Sequence, residues 1–103
     1  MFIPSKAAKV IVSKHTTERL LQRYRLFIPE EKRNNFDLLS LVHTRFRKSE
    51  VDKKICFSPF YKNKLETRHG KGAFISRNGI FTFAGKYDPN INTVWVRTVW
   101  IER

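Results

Sequence analysis

Between Ser13 and Ile28 the apolar positions fall at Leu20, Leu21, Tyr24, Phe27 and Ile28. This spacing of i, i+1, i+4, i+7 and i+8 lays one stripe along an α-helix. Ser13 suits the N-cap, because its side chain can accept from an orphan N–H of the first turn. Just before it, Val10-Ile11-Val12 reads either as a short strand or as an extended lead-in. Pro29 followed by Glu30 and Glu31 predicts the start of a second helix, since proline is tolerated in the first turn and acids favour the positive end of the helix dipole. Phe36, Leu39, Val42 and Phe46 form its predicted buried stripe, which fades near Lys48.

After Ser49 the period changes to short β-rich pieces separated by turn residues. Ile55-Cys56-Phe57 is compatible with a strand, and Lys62 to Gly72 reads as a mobile basic loop. Ala73 to Ser76 and Ile80 to Phe83 flank Arg77-Asn78-Gly79, and Asn-Gly between apolar runs is a strong hairpin signal. Tyr87-Asp88-Pro89-Asn90 predicts a second turn. Thr93 to Ile101 carries Val and Trp on both faces, as a central strand covered on part of each side would. The predicted fold is α+β: two N-terminal helices packed on an antiparallel sheet of three or four strands.

Composition turns this outline toward function. A chain of 103 residues supports one core, so a single domain over residues 1–103 is expected. Nine Phe, three Tyr and two Trp supply enough apolar surface to argue against a disordered basic tail. Lys and Arg number 21 against nine Asp and Glu, a formal net charge of +12. Small domains usually carry about 2–8 net charges, and a polyanion relieves the self-repulsion of a larger excess. Nucleic acid is the expected partner, through phosphate neutralisation and counterion release. RNA is favoured, with DNA or a ribosomal surface as alternatives.

Other classes are disfavoured. No stretch approaches the roughly 20 apolar residues of a transmembrane helix, and the opening Met1 to Lys6 lacks the basic and apolar regions of a secretory signal. No membrane partner is therefore expected. Cys56, the single cysteine, cannot form an internal disulfide and is read as a core residue, which points to a reducing cytoplasm. The acids are scattered, without a cluster or a His-x-x-x-His pair, so no metal site and no cofactor are expected. Neither a Gly-rich phosphate loop nor a nucleophile elbow is present.

The segment with most chemical content is Ser13 to Arg23. His15, Arg19 and Arg23 are spaced i, i+4, i+8, with Lys14 beside them, and form one column on a helix. At ~100° per residue that column lies beside the Leu20/Tyr24/Phe27 stripe and borders the core. An imidazole with two guanidiniums can bind phosphate and move a proton near neutral pH. The competing reading is a solvated basic helix face. Lys62, Lys64, Arg68 and Lys71 read as a backbone-steering element. Tyr61, Tyr87 and Trp100 are candidates to stack unpaired bases, against the demand of a small core for its aromatics.

Taken together, the Ser-Lys-His-x-x-x-Arg-Leu-x-x-Arg opening of helix one, the Ile28-Pro29-Glu30-Glu31 start of helix two and the closing Arg97-Thr98-Val99-Trp100 strand resemble the RelE/barnase/EndoU/colicin-type ribonuclease superfamily. The similarity is to its small bacterial and phage members with an N-terminal His-x-x-x-Arg-x-x-x-Arg helix and a late Thr-Val strand. The basic insertion between Lys48 and Gly72 departs from the usual pattern.

The resemblance implies metal-independent endoribonuclease chemistry, in which a ribose 2′-hydroxyl attacks the adjacent phosphorus. In that scheme His15 is base or acid, Arg19 and Arg97 face the non-bridging oxygens, Thr98 donates a hydrogen bond and Arg23 is a further phosphate contact. His43, His69 and Tyr87 are candidates for the second proton transfer. For a toxin-like or phage-borne member, a neutralising antitoxin or immunity protein is a candidate partner. The alternatives are a non-catalytic RNA- or DNA-binding module and a regulator that engages an acidic host protein. Arg97 and Thr98 are adjacent, so a regular strand would point them to opposite faces. They serve one site only if a bulge or the sheet edge brings them together.

Overall fold

Ser13 does cap the first helix: its Oγ accepts the Thr16 N–H at 3.1 Å, and α1 runs Lys14–Tyr24. Thr16, Thr17 and Leu20 are buried, with Leu21 and Tyr24 packed beside them. The helix ends earlier than its apolar stripe. A 3-10 turn at Arg25–Phe27 re-aims the chain, so Ile28 is buried while Phe27 is partly exposed. The computed structural model describes residues 3–56 and 58–102.

The second helix differs from expectation at its start. Glu30–Lys32 forms only a 3-10 turn, and α2 runs Asn35–Arg47. Asn34 is its cap, accepting the Asp37 N–H at 2.9 Å and donating to the Asp37 carboxylate at 2.6 Å. Satisfaction of orphan N–H groups outweighs the Pro-Glu-Glu signal. The buried stripe is Leu38, Val42 and Phe46, with Leu41 packed beside them, and the predicted Phe36 is 81% exposed.

The α+β class holds, but the sheet has five strands and is mixed. The strands are β1 (Lys9–Val12), β2 (Glu50–Val51), β3 (Ala73–Asn78), β4 (Phe81–Asp88) and β5 (Thr93–Ile101), in the order β1-β5-β4-β3-β2. β1 pairs parallel with β5, placing Val10 opposite Val94 and Val12 opposite Val96, and the other pairings are antiparallel. The expectation of three or four antiparallel strands undercounts because β1 and β2 are short edge pieces whose pairing is non-local.

The segment read as a basic loop, Lys62 to Gly72, is also corrected: most of it belongs to α4, Pro59–His69, which follows the short α3, Lys53–Cys56. Pro59 sits in the first turn, and Gly70, at φ 96°, ends the helix. Lys, Leu, Glu and Arg are good helix formers. The segment nevertheless shows no apolar period, because only Leu65 is packed against the core. Ile55 and Cys56 thus belong to a helix, not a strand; Phe57 and the expected core burial of Cys56 lie outside the described residues.

The hairpin forms one residue later than expected. Asn78 pairs with Phe81, leaving Gly79-Ile80 as the loop, because Gly79 takes the positive φ of 58° at its first position. The Tyr87–Asn90 turn is present, with the Asn90 N–H on the Asp88 carboxylate at 2.9 Å.

One sheet face carries the main core. Phe81, Phe83, Val94, Val96, Val99 and Ile101 meet Leu20 of α1 and the Leu38/Val42/Phe46 stripe of α2, with the Phe46 ring edge-on to Phe83 at 5.5 Å. On the second face α3 and α4 pack against β3. Ala73, Ile75, Thr82 and Ala84 are buried there, on the part that these helices cover.

Candidate functional site

The β4–β5 register contains one irregularity. Ala84 pairs with Thr98, but its neighbour Gly85 pairs with Val96, leaving Arg97 as an extra residue with no partner on β4. Such a bulge re-aims side chains. Val94 and Val96 before it are buried in the main core, as are Val99 and Ile101 after it. The two residues between Val96 and Val99 therefore both face away from that core. Arg97 is exposed and Thr98 is half-buried on the second face. The bulge thus removes the obstacle that strict alternation posed for this pair.

Gly85 permits this geometry. A Cβ there would collide with the carbonyl oxygen of Trp95 and crowd Val96, so the backbones approach more closely than any side chain allows. On its other side the bulge is tied to α1. The β1 ladder ends at Val12 opposite Val96, and the Thr16 hydroxyl takes over, donating to the Arg97 carbonyl at 3.0 Å. Ser13 Oγ, 2.8 Å from Thr16 Oγ1, completes the join. His15, the neighbour of Thr16, is thereby held in the turn that abuts the bulge. Its side chain is exposed, as are those of Arg19 and Arg23. Lys14 is exposed and lies 3.9 Å from Glu18, an i,i+4 pair of small energetic weight.

α4 delivers a second imidazole. His69 occupies its last turn, is half-buried, and has its pKa lowered from the usual imidazole value by burial first, then by the charges of Arg68 and Arg97. These two guanidiniums therefore act on one imidazole, and neither forms an ion pair among the described residues. His43, on α2, is also lowered, by burial and then by Arg47, but α2 packs on the opposite side of the sheet.

The remaining predicted residues divide. Lys62, Lys64 and Arg68 lie exposed on α4 and Lys71 lies exposed just after it, so the basic element is a helix and its following turn. The Lys64 ammonium sits 4.5 Å from the Phe60 ring centroid. Tyr87, opposite Val94 on β5, packs against the main core on its own face, away from Arg97 and Thr98, and its hydroxyl is 2.9 Å from Asn92 Oδ1. Trp100 donates its Nε1–H to Glu102 at 2.6 Å. Glu102 and Asp52 both engage Arg77, so the Ile101 end of the second face is charge-compensated. The part bearing Arg97, Arg68 and His69 carries no ion pair among the described residues.

Two residues not singled out from the sequence belong to this surface. Lys86 and Trp95 are cross-strand partners, with the Lys86 ammonium 5.0 Å from the Trp95 ring centroid. Their proximity depends on register, which no local pattern reports. An apolar groove lined by Phe27, Pro29, Leu41, Arg45, Ile80 and Phe81 opens elsewhere, at the hairpin end of the α2 side. With one cation and no other polar side chain, it is poorly equipped for phosphodiester chemistry. Among the described residues no group of three or more His, Cys, Asp or Glu side chains is placed to hold a metal ion, and no helix is long and apolar enough to cross a membrane. Comparison with protein-family models, curated proteins and solved structures finds no match.

Proposed function

We propose that this protein is a cytoplasmic RNA-binding protein that cleaves RNA without a metal, by attack of a ribose 2′-hydroxyl on the neighbouring phosphorus. The observation that carries the reading is the bulge at Arg97, which turns Arg97 and Thr98 to one face, with the Arg97 charge within electrostatic reach of His69. Burial and two flanking cations favour neutral imidazole at His69, the form that accepts a proton. In this scheme His69 takes the 2′-hydroxyl proton, the O2′–P bond forms and the P–O5′ bond breaks, leaving a 2′,3′-cyclic phosphate. His15, from the turn abutting the bulge, returns a proton to the leaving 5′-oxygen. Arg97 and Arg68 stabilise charge on the non-bridging oxygens, and Thr98 donates a hydrogen bond. Arg19, Arg23, Lys62, Lys64 and Lys71 hold flanking phosphates.

The exposure of the whole His15/Arg19/Arg23 column favours a second reading, a module that binds RNA phosphates without cutting. Incubation of labelled single-stranded RNA in EDTA separates the two. Cleavage to cyclic-phosphate ends, abolished by His69→Ala and reduced by His15→Ala, is the expected result. Salt-dependent binding with no cleavage by the wild-type protein would overturn the nuclease and leave the module.

A further inference from the structure

We propose that Trp95, backed by Lys86, is a stacking platform for one unpaired base, so that the surface takes single-stranded RNA in preference to duplex. This rests on the nucleic-acid reading above but not on cleavage. Trp95 lies two positions before Arg97 on β5, on the same second face, about 7 Å away along the strand. It is only partly buried, whereas the valines on either side of it are fully buried in the main core.

One cation already attends the ring: the Lys86 ammonium stands 5.0 Å from its centroid. The Lys86 stem passes beside Gly70, directly after His69, so the indole, the lysine and the His69 turn are contiguous. An aromatic face two positions from Arg97, whose guanidinium forms no ion pair among the described residues, suits a nucleotide whose base is splayed out while its phosphate sits at Arg97. A duplex keeps its bases stacked on one another and offers only backbone to such a surface. Lys86, able to swing from the ring to a phosphate, adds a contact on the same strand.

The test uses 2′-O-methyl oligonucleotides, which lack the attacking hydroxyl, as a single strand and as a blunt-ended two-strand duplex without a loop, at low salt. Trp100→Phe leaves Trp95 as the sole tryptophan, and the single strand should quench its fluorescence while the duplex does not. Trp95→Leu should weaken single-strand affinity by roughly ten- to hundredfold and leave duplex affinity unchanged. Trp95→Phe, which keeps an aromatic face and guards against misfolding, should restore most of the loss. Unquenched Trp95, or wild-type single-strand affinity in Trp95→Leu, overturns the platform while leaving nucleic-acid binding intact. Absence of salt-dependent binding to either probe by the wild-type protein overturns the nucleic-acid reading, and the platform with it.

Discussion

The side-chain hydroxyl of Thr16 donates to the backbone carbonyl of Arg97 at 3.0 Å, joining the first turn of the N-terminal helix to the bulge in the last strand, 81 residues away. Thr16 is 4% exposed, so the bond is sheltered from water. It completes the hydrogen bonding of the β5 edge where the β1 ladder stops, and it sets where His15 stands relative to Arg97.

Thr16→Val keeps the shape and removes the donor, leaving a sheltered carbonyl without its partner. A loss of about 1–2 kcal/mol is expected, or several degrees in Tm for a domain of this size. Urea denaturation of the two proteins checks it, and an unchanged midpoint would show that water replaces the hydroxyl at no cost.

Gly85→Ala should destabilise the protein by about 1–3 kcal/mol, because backbone must move to admit the methyl group. It should also abolish RNA cleavage by straightening the bulge that presents Arg97 and Thr98. Gly79→Ala is the contrast: its added Cβ meets open space, and only the positive φ is unfavourable. That variant should lose some stability and keep its activity. Equal activity in the two variants contradicts the role assigned to the bulge.

His69 and His43 both have folded pKa values below the usual imidazole value of about 6.5, so the folded state resists protonation. As pH falls below that value the unfolded chain binds more protons than the folded one, and stability declines until the folded imidazoles also titrate. His69→Gln and His43→Gln should each flatten part of this decline. Urea midpoints across the weakly acidic range decide the point. In cleavage assays the acidic limb should lie below pH 6.5 if His69 is the base.

Arg97→Gln should weaken binding to an uncleavable RNA analogue and reduce the slope of log affinity against log salt by about one. Arg77→Gln should not change that slope, because Arg77 is already engaged by Asp52 and Glu102. Its effect should appear in stability instead. Reversal of this pattern would move the phosphate site to the other end of the sheet face.

The parts legible in the chain are those specified by neighbours a few residues away. Ser13 as a cap, the Leu20/Leu21/Tyr24 stripe, the hairpin around Gly79 and the turn after Tyr87 all follow from local hydrogen bonding and backbone preference. The excess of cations is equally a property of composition. The basic helix Pro59–His69 escaped because a helix whose burial comes mainly from Leu65 has no period to detect. β1 escaped assignment because four residues acquire strand identity only by pairing with β5.

The candidate site was legible only as a list of residue types. Arg97 and Thr98 were visible as adjacent residues that alternation should separate. Their shared face depends on a bulge created by Gly85, a residue twelve positions earlier on another strand. His69 was one of three candidates for a proton-transfer role until the end of α4 came within reach of the charge on Arg97. Trp95 and Lys86 meet by register alone. Local sequence determined which elements form and how much positive charge they carry, because those interactions span one or two turns of chain. Which of the charges converge was decided by tertiary pairing, since strand register and helix docking are set by contacts between residues distant in sequence.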